Sequence, residues 1–127
     1  MPQPATLESN KERIRTMLDE VWNAGHPERL PEFWAEETRA EAEELHRVLT
    51  TAFPDLRITV EDIVAEGDRV VVRLRLRGTH RGPFQGMATT GRSVEFGAIR
   101  IYRLDDGLVA ETWAHQDSMG LARQLRG

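Results

Sequence analysis

Apolar residues recur along the chain with two periods, and the change from one to the other falls near residue 55. Before it, Ile14, Met17, Leu18 and Val21 repeat at helical spacing with Trp22 beside them. They predict a first helix from about residue 8 to residue 23, behind a loose leader over residues 1–7. Ser9 followed by Glu12 has the form of a capping box at its start. Gly25 ends this helix, and Pro27 suits the first turn of a short second one with Leu30, Phe33 and Trp34 on its apolar face. Residues 36–52 form a third helix. Ala42, Leu45, Val48, Leu49 and Ala52 make its stripe, and the glutamates of its first half complement the helix dipole and read as a solvated face. Phe53 precedes Pro54, which disfavours further helix.

After residue 55 the period becomes two. Leu56, Ile58 and Val60 alternate with polar residues, a Glu66-Gly67-Asp68 turn follows, and Val70, Val72, Leu74 and Leu76 then oppose Arg73, Arg75 and Arg77. This predicts an antiparallel hairpin with one dry face, its arginine row solvated and discouraging edge-to-edge association. Residues 78–92, with Phe84 and Met87, read as a loop able to serve as a mouth or lid. Over residues 93–104, Val94 and Phe96 give way to Ile99 and Ile101, and this change of phase at Gly97-Ala98 predicts a β-bulge. Asp105-Asp106-Gly107 turns into a last strand over residues 108–117, and residues 118–125 close the chain as a short helix. Helices first and strands after mean an α+β fold. The expectation is a single domain over residues 1–127: a cone-shaped, curved antiparallel sheet of about four strands against three N-terminal helices, with a short C-terminal helix. A pocket is expected where the late strands meet the first helices.

The last strand carries the candidate chemistry. If it alternates regularly, Val109, Glu111, Trp113, His115 and Asp117 share one face. An aromatic ring, an imidazole and two carboxylates on one face suit a half-dry cavity better than either open water or ordinary core. Asp117 is a candidate acid/base, and equally a candidate N-cap for the final helix. His115 could hold Asp117 ionised, polarise a carbonyl, or be a satisfied pocket histidine. Trp113, Tyr102, Trp22 and Phe96 are candidate pocket walls, with the Tyr102 hydroxyl available to a ligand. His80, near the loop, is a candidate ligand contact.

Charge and composition narrow the classes. Seventeen basic and twenty-one acidic residues give a net charge of −4 with the basic residues scattered, which does not support nucleic-acid binding. Without cysteine there are no disulfides or thiolate metal sites, in keeping with a reducing compartment. Neither a signal peptide nor an apolar run of about 20 residues is present, so a cytoplasmic protein without membrane contact is expected. No Ser-His-Asp or Cys-His arrangement, phosphate loop or GxGxxG fingerprint occurs. His80, His115 and Asp117 are the only plausible metal-binding trio, and nothing in their spacing demands a metal. Cofactor-free, metal-free acid/base chemistry is the expectation.

Ala52-Phe53-Pro54-Asp55-Leu56, the run from Val60 to Arg73 containing Ala65-Glu66-Gly67-Asp68-Arg69-Val70, then Gly78-Thr79-His80-Arg81-Gly82 and Gly91-Arg92 resemble the SnoaL-like polyketide cyclase, or ester cyclase, family of the nuclear transport factor two-like superfamily. Val21-Trp22-Asn23-Ala24-Gly25 and the ending from Trp113 to Leu121 match as well. The resemblance covers most of the chain. It implies a cone-shaped α+β fold and, in the characterised cyclases, intramolecular aldol cyclisation of polyketide esters without cofactor or metal, with an aspartate on the last strand as acid/base; Asp117 holds that position here. The chain departs from the family where Phe33-Trp34-Ala35-Glu36-Glu37 runs almost directly into the third helix. A first strand and a loop with an Asp-His-type pair usually stand there. Their loss would open the cavity or call for a partner subunit to cover it, so a homodimer or higher homo-oligomer is expected. Two readings follow. In one, Asp117 removes a proton alpha to a carbonyl of a small apolar or polyketide-like molecule while His115, with Tyr102, steadies the enolate oxygen. In the other, the domain binds a ligand or a second subunit without catalysis.

Overall fold

The computed structural model describes residues 6–127; residues 1–5 of the expected leader lie outside them. The first helix, α1, spans Leu7–Met17 and runs on as a π-helical turn over Leu18–Asn23. Its capping box lies one turn earlier than expected. The Thr6 hydroxyl accepts from the Ser9 N–H at 3.0 Å while the Ser9 hydroxyl accepts from the Thr6 N–H at 2.8 Å, so Ser9 is the inner member of the pair and Glu12 is not part of it. At the far end the Asn23 amide bridges to the first strand, donating to the Ile58 carbonyl and accepting from the Ile58 N–H, each at 2.8 Å. After Gly25, at φ +77°, the short second helix is a 3-10 segment over Pro27–Glu32. The third helix, α2, spans Glu36–Ala52 and buries Ala42, Leu49 and Ala52.

Four antiparallel strands follow as a meander: β1 (Arg57–Glu66), β2 (Arg69–Thr79), β3 (Ser93–Asp105) and β4 (Leu108–Gln116), in the spatial order β1-β2-β3-β4. A C-terminal helix, α3, spans Ser118–Arg126. The architecture is therefore α+β, with the helices on the inner face of a curved, open sheet. No helix among the described residues is long and apolar enough to cross a membrane.

The register of the strands decides which side chains face inward. The bulge expected at Gly97-Ala98 is absent, because β2 and β3 pair without interruption from Arg69↔Arg103 to Thr79↔Ser93. Val94, Phe96, Ala98, Arg100, Tyr102 and Leu104 consequently keep one phase, and Ile99 and Ile101 lie on the outer face with Ile99 47% exposed. Bulges fall instead at Glu61 in β1 and in β4. Leu104 pairs with Val109 and the adjacent Arg103 with Glu111, which leaves Ala110 as the extra residue. Val109 is fully buried, and past Ala110 the inner positions become Thr112, Ala114 and Gln116. A one-residue slip exchanges the faces of every residue that follows. Glu111, Trp113 and His115, expected inside, are outside.

The loop over residues 80–92 is fastened to the end of α2. Arg81 and Gly82 N–H groups donate to the Ala52 carbonyl at 2.9 and 3.3 Å, Phe84 is buried, and a Cβ at Gly82 would collide with the Thr51 carbonyl. His80 is fully buried beneath it, with Nδ1 at 2.9 Å from the Thr90 hydroxyl and accepting the Thr90 N–H at 3.2 Å. This segment is a pinned cover over core residues.

Candidate ligand cleft

The two edges of the sheet are built differently. Beside β1, Asn23 satisfies the outward groups of Ile58. Beside β4, the short segment after the 3-10 helix makes a single parallel bridge, Trp34↔Val109, in which Val109 N–H donates to the Phe33 carbonyl at 2.7 Å and Ala35 N–H to the Val109 carbonyl at 3.1 Å. The chain then enters α2. The Asp117 N–H donates to the Gly97 carbonyl at 3.0 Å, which fixes the alternation of bonded and unbonded pairs along β3 and β4. By that alternation the main-chain groups of Thr112, Ala114 and Gln116 point away from β3, toward the open edge.

Between this edge and α2 lies a cleft of about 410 Å³, walled by Trp34, Ala42, Leu45, Val48 and Ala114, with Arg100 and Thr112 on its floor and Glu41 and Glu44 at its rim. It is continuous, through Trp34, Ala42, Leu45, Arg100 and Ala114, with a narrow cavity of about 50 Å³ between the helices and the inner sheet face. The cavity has room for a water or two, whereas the cleft is of the size that holds small organic ligands. The cleft opens at the edge of β4 that is flanked by the single Trp34↔Val109 bridge.

Of the expected site residues, Trp22 and Tyr102 line the narrow cavity. Tyr102 is 2% exposed, its ring edge-on to Trp34 at 6.1 Å between centroids, and burial raises its phenol pKa against the opposing charge of Arg100. Trp22 stacks obliquely on His46 at 4.8 Å between centroids. Burial lowers the His46 pKa, with the Val21 backbone acting weakly the other way. Phe96 is 2% exposed but packs in the core without lining the cavity, and His80 is buried under the loop rather than at the cleft.

Trp113 lies on the outer face, with the Arg69 guanidinium 5.1 Å from its ring centre. His115 and Asp117 line a shallow outer groove of about 430 Å³ together with Arg73, Glu95 and Ile99. The Asp117 carboxylate accepts the Gly120 N–H at 2.9 Å and so caps α3. A Cβ at position 120 would collide with that carboxylate, which accounts for the glycine. Alternation had placed these three residues in the cone, and the bulge at Ala110 carries Trp113 and His115 out of it. His80, His115 and Asp117 are not brought together, and no cluster of three or more potential metal ligands occurs among the described residues.

Sequence reasoning missed Arg100, Thr112, Ala114 and Gln116. A signal for Arg100 existed. Phe96 and Tyr102 are an even number of residues apart, so an unbroken alternation between them places Arg100 on the inner face.

Comparison with known proteins agrees with this architecture. The family model for the SnoaL-like polyketide cyclase matches residues 12–125. TsrD from Streptomyces laurentii is similar in structure with a TM-score of 0.88 and 29% identity, over 95% of this chain and 97% of that one. IdmH from Streptomyces antibioticus superposes with a TM-score of 0.81 and 28% identity, over 93% and 99% of the two chains. A SnoaL-like polyketide cyclase from Agrobacterium tumefaciens, at 21% identity and a TM-score of 0.81 over 91% and 97% of the chains, shares the fold. No curated protein matches the sequence. With its helices on the inner face of a curved four-stranded sheet and a family match spanning most of its length, the chain belongs to the SnoaL-like polyketide cyclase family, in the nuclear transport factor two-like superfamily.

Proposed function

We propose that the domain binds a small, largely apolar molecule in the cleft between α2 and β4. The observation that carries this reading is the continuity of the 410 Å³ cleft with the inner sheet face, at the edge of β4 flanked by the single Trp34↔Val109 bridge. Family membership supports a polyketide-like ligand. Ala114→Trp would fill the cleft from its strand wall. A thermal-shift screen of polyketide-like aromatics should yield ligands that raise the melting temperature of the wild type and leave this variant unmoved. Equal shifts in both proteins would place the ligand elsewhere.

The second reading is catalytic: cofactor-free cyclisation or isomerisation with Asp117 as acid/base and His115 beside it. Its support is the family match and the shared outer groove of His115 and Asp117. The helix cap made by the carboxylate, and the distance of the Tyr102 phenol on the opposite face, favour binding over this chemistry. Asp117→Asn, with folding checked by circular dichroism, decides the point. Unchanged turnover of an identified substrate would remove the catalytic role.

Self-association and a cytoplasmic location belong to the same proposal. The register aligns Val64, Val71, Ile101 and Trp113 in one row across all four strands, and Val64 and Trp113 are 59% and 39% exposed. This outer row supports a second copy as its cover. Absence of cysteine supports a reducing compartment.

A further inference from the structure

Among the side chains that β1 to β4 turn inward, Arg100 is the one that carries a charge. On β3 its inward neighbours are Ala98 and Tyr102, and across the β4 pairing it faces Ala114. Its polar contacts from side chains are neutral hydroxyls, that of Tyr102 and, at a long 3.4 Å from Nη1, that of Thr112, which donates its own proton to the Ile101 carbonyl at 3.0 Å. Among the described residues no carboxylate forms an ion pair with it. Three arginines on the other side of the same sheet do have carboxylates beside them. Arg73 meets Asp62 at 2.7 Å, Arg103 meets Glu111 at 2.6 Å, and Arg75 stands between Glu61 at 3.4 Å and Glu95 at 3.5 Å.

A guanidinium partly withdrawn from water beside apolar groups costs free energy unless something pairs with it. Its planar fork of donors fits two oxygens on one carbon. Arg100 lies on the floor of the cleft, with Trp34, Ala42, Leu45 and Val48 rising beside it. At the rim, Glu44 is engaged by Arg47, and Glu41 has no ion-pair partner among the described residues.

We propose that Arg100 is the anchor for a carboxylate on the ligand, so that the cleft selects an apolar monocarboxylate whose hydrocarbon part lies along α2. This rests on the ligand reading of the cleft and adds the charge and its position. The acid enters with its tail against Leu45 and Val48 and its head on Arg100, where Thr112 supplies a hydroxyl oxygen beside the guanidinium. Glu41 at the rim opposes an anion and limits its affinity.

Isothermal titration calorimetry of the full chain with octanoate and with octan-1-ol tests this, because the two share a tail and differ in the head. A charge-assisted pair in a partly dry site predicts octanoate binding at least about tenfold tighter than octanol. Arg100→Gln should abolish that preference and leave octanol binding unchanged, and Glu41→Gln should tighten octanoate alone. Equal affinities for the two probes in the wild type, or a preference that survives Arg100→Gln, would overturn the anchor while leaving the cleft intact. If neither probe binds, the cleft reading and the anchor fall together. Should Arg100→Gln not fold, the wild-type comparison decides by itself.

Discussion

The two faces of the sheet hold arginines in opposite conditions. Outside, Arg73, Arg75 and Arg103 stand in water with carboxylates on neighbouring strands, a complete arrangement that contributes little because solvent already serves each charge. Inside, Arg100 sits among Ala98, Tyr102 and Ala114 without a carboxylate. These three outer charges are met locally, and the inner face carries one charge whose anionic partner has to come from elsewhere. A charge marks a site by its lack of an opposite charge in a partly dry place, and residue type alone does not reveal it.

The largest test of this contrast adds a second inner cation. Leu74 is 3% exposed on the inner face of β2, and Leu74→Arg should cost at least about 4 kcal/mol, enough to unfold a domain of this size. Val71→Arg, on the outer face of the same strand, should stay within about 0.5 kcal/mol. Urea denaturation of both variants makes the comparison. Similar losses in the two would mean that the faces do not differ in polarity as described.

A smaller effect of opposite sign is expected at Arg100. Arg100→Leu removes a partly buried, unpaired cation from an apolar surround and should stabilise the ligand-free protein by about 1 to 2 kcal/mol. Arg103→Leu breaks the exposed pair with Glu111 and should cost less than about 1 kcal/mol. Melting temperatures without ligand check the signs. Destabilisation by Arg100→Leu would show that the guanidinium is structurally needed.

How far these features could be read from the chain depends on how each is encoded. In β1 and β2 the inner positions are apolar and most outer ones polar, so period two was plain from Val70 to Arg77. In β3 the code is mixed, since Ile99 and Ile101 are apolar outside and Arg100 is charged inside. Composition then suggested a bulge where hydrogen bonding runs straight through. In β4 the real bulge falls at Ala110, in an apolar Leu108-Val109-Ala110 run that carries no glycine or proline to announce it. Its position is set by two pairings made together, Val109 with the Phe33–Ala35 segment and Glu111 with Arg103. The first of these partners is distant in sequence, so local reasoning located the strand but assigned its two faces the wrong way round beyond Ala110. The helices were more legible, α2 to the residue, because their stripes depend on spacing within one segment. The cap of Asp117 on α3 was readable for the same reason.

The smallest expected effect concerns protons and again separates inside from outside. Exposed carboxylates such as Glu44, beside Arg47, have pKa values lowered first by a hydrogen bond to their partner, so that pairing holds them ionised. His46 is shifted by burial first, against Trp22, with the Val21 backbone opposing, and its pKa is lowered. A depressed histidine pKa means that the folded state takes up a proton less readily than the unfolded chain, where the value is about 6.5. The contribution to stability is therefore fully present above that unfolded value. It falls as pH drops through it, and the fall ends once pH passes below the folded value and both states are protonated. Melting curves at closely spaced pH values from 7.5 downward, compared with those of His46→Gln, read the difference. The wild type should lose stability relative to the variant as pH falls below about 6.5. Parallel curves across that range would mean that the imidazole takes up its proton as easily in the folded protein as in the unfolded chain, and that Trp22 does not keep it dry.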